Sequence, residues 1–250
     1  MKTRTDICYS SDGHAAKRLD LYLPDAEAFP LLVYIHGGGI VEGDKGRDGR
    51  CLASYYIPRG IAVASVNYRM YPDARYPEFI EDCAEAVKWL TDELGDRISN
   101  LFLAGTSAGG YITMMLCFDE KYLNAVGLSN GNVTAYIHDA GQPTVHFNIL
   151  KERGEDTKRI VIDEAAPLYH IGKAEKYPPM LFIWSDGDIP CRAEQLALTV
   201  ATLKSFGYDM SGVETMVRHG GHVHYAMPKA DADEFELSPL IHPFIEKHTK

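Results

Sequence analysis

The stretch that decides the reading is NLFLAGTSAGGY, Asn100 to Tyr111. An apolar run, LFLAG (101–105), ends at Gly105, and Ser107 follows among small residues. The uncharged residues then continue to Phe118, 18 in all from Leu101, which is the lower edge of a membrane-spanning length. Gly105, Thr106, Ser107, Gly109 and Gly110 in its middle argue instead for a buried strand, a tight turn and a buried helix from Ala108 to about Phe118. Such a turn forces an unusual backbone on the serine and needs small neighbours, so that strand and helix can approach closely. The helix that follows points its free N–H groups and the positive end of its dipole at the same place. A serine so held is a candidate nucleophile, and an inert glycine-rich turn explains less of the setting.

Outward from this turn the chain alternates strand and helix patterns. KRLDLYLP (17–24) alternates as a half-exposed strand does, with Leu19, Leu21 and Leu23 on one side. PLLVYIH (30–36) and IAVASVNY (61–68) are nearly continuous apolar runs, as in strands covered on both faces. Phe79, Cys83, Val87, Leu90 and Leu94 fall at helical spacing. AVGLS (125–129) is a further short apolar segment, PPMLFIWSDGD (178–188) contains a buried strand and VETMVRH (213–219) a last one. Arg192 to Phe206 forms a helix stopped by Gly207, and SPLIHPFIEKH (238–248) a closing helix that Pro243 should break or begin. The pattern predicts an α/β protein with a mostly parallel central sheet and helices on both faces. We expect one domain over residues 1–250, with the irregular 130–175 stretch as a short insertion over the site.

The whole-chain figures narrow the function. The 250 residues carry 35 acidic and 25 basic side chains, a formal net charge of −10, without a Lys/Arg cluster. Nucleic acid and anionic membranes are therefore poor partners. The first twenty residues have no apolar core of signal-peptide length, which predicts a cytoplasmic protein. The five cysteines are scattered, odd in number and without a CxxC pair, so free thiols are expected and neither a disulfide frame nor a zinc site.

Reactive side chains gather at three strand ends. Gly105-Thr106-Ser107-Ala108-Gly109 fits G-x-S-x-G between a strand and a helix. His36-Gly37-Gly38-Gly39 follows the strand at 31–35, where three glycines suit a backbone that must come close to a reacting oxygen. Gly37, Gly38 and Ala108 are the candidate oxyanion donors, and His36 is expected to orient this loop. Asp186 and Asp188 lie past one buried strand, and His219, His222 and His224 past the next. Asp188, deeper in its loop, is the candidate acid. His222, after Gly220 and Gly221, is the candidate base, with His224 second and His219 ending its strand. A metal site at His219, His222 and His224 is the rival reading, but no acidic or cysteine ligand is near in sequence.

The motifs YIHGGG, VNYRMYPDARYPEFIEDCAEAVKWL, LAGTSAGGY, DEAAPLYHI and GGHVHYA resemble those of α/β-hydrolases of the HGGG type. Within these the chain is similar to hormone-sensitive-lipase-like esterases, and more so to compact bacterial acetyl-esterase and feruloyl-esterase-like members, from about Leu19 onward. It departs from them in Ile40, where an aromatic residue often follows the glycines, and in WSDGD (184–188), where the acid loop is usually glycine-led. The resemblance implies an α/β-hydrolase fold and hydrolysis of short-chain acyl esters by Ser107, His222 and Asp188, with no cofactor or metal. It also implies structural roles for Arg69 and Asp82. A 130–175 insertion with mixed polar and aromatic groups favours small or sugar-linked esters. Two alternatives remain: an amide hydrolase of the kynurenine-formamidase or acyl-peptidase type, and a ligand-binding protein on a hydrolase scaffold.

Overall fold

The computed structural model describes residues 2–227 and 235–249. In chain order, β1 (Lys2–Cys8), β2 (Arg18–Leu23) and β3 (Phe29–Ile35) precede α1 (Lys45–Tyr56), then come β4 (Ala62–Val66) and α2 (Glu78–Leu94). β5 (Ile98–Thr106) runs into α3 (Ala108–Phe118) and α4 (Lys121–Ala125), followed by β6 (Ala135–Asp139), α5 (Phe147–Glu152) and α6 (Pro167–His170). β7 (Met180–Gly187), α7 (Arg192–Ser205), β8 (Val213–Gly221) and α8 (Leu237–His248) complete the fold. The strands form one sheet in the order β1-β2-β4-β3-β5-β6-β7-β8, parallel from β4 to β8 and antiparallel at β1/β2 and β2/β4.

The pleat explains why the central strands are apolar throughout. Leu31, Val33, Ile35, Leu101 and Leu103 point to one face, into a core with α2, α3 and Leu196 and Leu203 of α7. Leu32, Tyr34, Phe102 and Ala104 point to the other, against α1 and α8. Every residue of α3 is buried. The uncharged stretch from Leu101 is thus strand, turn and inner helix, and among the described residues no helix is long and apolar enough to cross a membrane.

Three expectations need correction. β2 is buried on both faces rather than half-exposed, because the Lys45 ammonium lies 3.0 Å from buried Asp20 and makes its polar side tolerable. The 130–175 stretch is not all insertion, since it begins by supplying β6, between β5 and β7 in the sheet. Finally, α8 continues through Pro243. The ring is exposed there, so water can serve the carbonyl left without an N–H donor. β1, a polar edge strand, escaped the sequence reading altogether.

Candidate active site

Ser107 sits between β5 and α3 with φ +56° and ψ −112°, a backbone that costs a non-glycine residue of order 1–3 kcal/mol. Its surroundings hold it there. The Ser107 N–H donates to the Asp139 carbonyl at 2.7 Å, and its own carbonyl accepts from Tyr111 N–H at 3.0 Å. Gly109 is required by close approach, because a Cβ there would lie 2.0 Å from the Ile35 carbonyl oxygen. The start of α3 is thereby pressed against the end of β3, where the glycine triplet begins.

The glycine loop arches over the serine. A Cβ on Gly37 would stand 3.3 Å from the Ser107 Cβ, and Gly38, at φ +103°, leaves no room for one beside the Glu42 backbone. His36 stacks on Tyr68 with ring centroids 4.6 Å apart, and its Nδ1 lies 2.7 Å from the Gly37 carbonyl. Tyr68 Oη donates to the His36 carbonyl at 2.9 Å, and Asn148 Nδ2 donates to the Gly39 carbonyl at 2.5 Å. The main-chain N–H groups of Gly37, Gly38 and Ala108 are therefore carried on backbone pinned from several sides.

His222 reaches Ser107 from the segment after β8, its Nε2 2.9 Å from Ser107 Oγ. Its Nδ1 lies 2.5 Å from Asp188 Oδ1. Asp188 Oδ1 also accepts from Ile189 N–H at 2.7 Å, and Oδ2 from Ser185 N–H at 3.3 Å. Burial raises the Asp188 pKa, but the His222 hydrogen bond and charge and these N–H donors outweigh it, so the carboxyl lies below its ordinary value. An ionised Asp188 keeps the proton on Nδ1 and leaves Nε2 free to accept one from Ser107.

The structure separates the candidates that the sequence left side by side. Asp186 turns outward, where its Oδ2 lies 2.5 Å from Nδ1 of the exposed His219 and its Oδ1 accepts from Gly220 N–H. His224 lies against the Gly221 carbonyl at 3.0 Å. The three histidines do not converge, and among the described residues no group of three or more His, Cys, Asp or Glu is placed to hold a metal. Arg69 grips Asp82 through Nε and a terminal nitrogen at 2.9 and 2.8 Å. Cys191 is exposed beside the site rather than packed.

One polar group was missed. Asp139, fully buried at the end of β6, accepts from Thr106 Oγ1 at 2.7 Å and from the Tyr225 hydroxyl. Tyr34 in turn donates to Thr106 Oγ1 at 3.0 Å. Burial pushes the Asp139 carboxyl up to about 6, against the pull of the two hydroxyls and His222. The network ties the strand that ends at Ser107 to the loop that carries His222. Its only sequence signal was an acid at a strand end, in a strand that went unrecognised.

A cleft of about 710 Å³ opens over Ser107 and His222. Gly37–Gly39 form one wall and Phe147, Asn148 and Ile189 another, with Glu42, Asp44, Arg47 and Asp48 farther along. Burial, partly offset by Arg47, pushes the Asp48 carboxyl up to about 6.

Residues 19–198 match the family model BD-FAE. The esterase LipI of Mycobacterium tuberculosis is 36% identical over 97 residues, which cover 37% of this chain and 30% of that protein. The gibberellin receptor GID1 of Oryza sativa subsp. japonica is also 36% identical over 97 residues, 36% of this chain and 27% of that one. The matches thus span about a third or less of either relative. Among solved structures, a truncated carbohydrate esterase from gut microbiota superposes with a TM-score of 0.79 at 18% identity, over 100% of this chain and 97% of that one. At that identity the likeness is one of fold, and the fold is that of the α/β-hydrolases.

Proposed function

The chain belongs to the BD-FAE family, and from that premise we propose that it is a serine carboxylesterase acting on short-chain acyl esters. The observation that carries the proposal is the unbroken line from Ser107 Oγ through His222 to the buried Asp188, at 2.9 and 2.5 Å. The relatives that the chain resembles are mainly esterases, with a hormone receptor among them at the same 36% over 97 residues as LipI, and the site geometry favours the esterases. A binder needs a cleft. It has no need of a strained serine whose hydroxyl faces an imidazole backed by a carboxylate.

In this reading Ser107 attacks the ester carbonyl while His222 Nε2 takes its proton, and Asp188 stabilises the imidazolium. The N–H groups of Gly37, Gly38 and Ala108 hold the oxyanion, helped by the positive end of the 11-residue α3. His222 then gives the proton to the departing alcohol. Water, activated by the same histidine, releases the acid. No cofactor or metal enters the scheme. The polar wall of Glu42, Asp44, Arg47 and Asp48 suits an alcohol rich in hydroxyls, such as an acylated carbohydrate.

The test is hydrolysis of p-nitrophenyl acetate, butyrate and octanoate by the wild type and Ser107→Ala. Turnover of the short esters that falls by several orders of magnitude in the variant supports the proposal. A wild type that turns over none of them, or a variant as active as the wild type, refutes it. Preference for the octanoate refutes the short-chain assignment alone.

A further inference from the structure

A second cavity, of about 540 Å³, lies against the catalytic cleft, and Phe147 and Ile189 line both. Ile189 directly follows Asp188, so this space begins beside the candidate triad. Its wall carries three cations, Lys158, Arg159 and Arg192, and no carboxylate. That is unexpected in a chain of formal net charge −10. The cleft wall lined by Glu42, Asp44, Asp48 and Arg47 has the opposite balance. An ester bearing one negative charge is thus drawn to one side and repelled from the other.

Arg192 is the distinctive member. It is 4% exposed, yet no carboxylate lies within ion-pair distance of it among the described residues. Its guanidinium donates to the Ala140 carbonyl and, at 3.4 Å, to Gln142 Oε1. A guanidinium has five N–H donors, so donors remain for another acceptor. The opposite charge that acts on it is that of Asp188, which His222 already engages. Burial pulls the Arg192 pKa down to about 10, so it stays charged at neutral pH, and a buried cation without a counter-ion is costly. Arg192 also opens α7, a 14-residue helix whose N-terminus no side chain caps, and Ile189, Pro190 and Cys191 bring that N-terminus to the cavity wall. Helix dipole, buried guanidinium and two exposed cations all favour an anion at one place.

We propose that this cavity is a subsite for a carboxylate carried by the substrate, so that the preferred esters are anionic, with the charged end beyond Phe147 and Ile189 against Arg192. The inference rests on the esterase reading of Ser107. Arg192 supplies the forked donor for the carboxylate, and Lys158 and Arg159 add attraction at the mouth.

The experiment compares kcat/KM for two matched pairs, after subtraction of spontaneous hydrolysis. p-Nitrophenyl hemiglutarate against p-nitrophenyl pentanoate places the charge on the acyl side. 4-Acetoxybenzoate against its methyl ester places it on the alcohol side. The wild type should prefer the anionic member of one pair by about tenfold or more, and which pair responds tells which half of the ester enters the cavity. The preference should fall severalfold in Lys158→Gln/Arg159→Gln and vanish in Arg192→Gln. The readout is a ratio within each enzyme, so a general loss of activity cancels. Because Arg192 is buried and its variant can fail to fold, the exposed double variant carries the test by itself. No anionic preference in either pair, or a preference untouched in the double variant, overturns the proposal. Calorimetric titration of Ser107→Ala with dimethyl glutarate and with its monomethyl monoanion separates the two readings. Tighter binding of the monoanion without any turnover by the wild type sinks the esterase and keeps the subsite, whereas turnover with equal binding sinks the subsite alone.

Discussion

His138 offers a quantitative check on the interior of the sheet. It is fully buried on β6, one residue before Asp139, with its ring 5.0 Å from Phe182, 5.6 Å from Tyr136 and 5.9 Å from Phe118. Its Nδ1 meets Thr113 Oγ1 at 2.9 Å, and its Nε2 has no hydrogen-bond partner among the described residues. Burial holds its pKa near 3, against 6.5 for a free histidine. The unfolded chain therefore takes up a proton as pH falls through 6.5, while the native chain does not until about 3. The stability held above pH 6.5 is lost progressively through that window. Between pH 7 and pH 5 the loss from this one side chain comes to about 2 kcal/mol, at 1.36 kcal/mol per unit. His146 adds a loss of the same sign, its pKa also pushed down to about 3 by burial. Asp139 opposes both, because its carboxyl, raised to about 6, protonates in the native state before the unfolded one. The wild-type profile is thus a composite, and a variant isolates one component. Phenylalanine suits the aromatic surroundings, and Thr113 keeps a hydrogen bond to the Gly110 carbonyl at 3.1 Å. In urea unfolding at pH 7 and pH 5, His138→Phe should lose about 2 kcal/mol less than the wild type on acidification, or about 4–8 °C in Tm. Equal losses in the two proteins would show that His138 is not held neutral by burial, and the reasoning would fail.

Asp188→Asn should lower kcat by about 10⁴, because the amide no longer fixes the His222 tautomer, whereas Asp186→Asn, which meets the exposed His219 and a Gly220 N–H that an amide oxygen can still accept, should leave it within about twofold. A p-nitrophenyl butyrate assay on both variants distinguishes the two acids. Gly109→Ala would place a methyl 2.0 Å from the Ile35 carbonyl, and the resulting shift of α3 should cost at least about 100-fold in kcat/KM, with a lower Tm, in the same assay and a thermal melt. Arg69→Met leaves the 1%-exposed Asp82 with Lys17, at 3.3 Å, as its one remaining counter-charge among the described residues. Urea unfolding at pH 7 should show a destabilisation of about 3 kcal/mol.

Legibility in the sequence followed how local each signal was. The elbow at Ser107 could be read because strand, turn and helix are consecutive, and close approach demands small residues within five positions. β6 could not be read so easily. AYIHD carries two polar residues in a five-residue strand, and both are tolerable only because distant groups satisfy them: Thr113 meets His138, and Thr106 and Tyr225 serve Asp139. β1 was hidden for the opposite reason. KTRTDIC is an edge strand with no residue fully buried, so no hydrophobic pattern marks it.

Asp186 and Asp188 show where local reading stops. Two residues apart, they should share a face of a regular strand. The pairing of β7 with β8 slips between Ser185 and Gly187, and at this irregularity Asp186 turns to solvent while Asp188, with a side chain 1% exposed, turns in toward His222. Spacing alone carries no trace of that slip, because it depends on how β8 is registered alongside. The cation-lined cavity lies further still from local view. It is assembled from the 140s, the 150s and the start of α7, segments whose separation in sequence hides that their charges face one space. The candidate nucleophile is therefore the most legible part of such a site. The features that choose among substrates are the least legible, since they arise where loops from several strands meet.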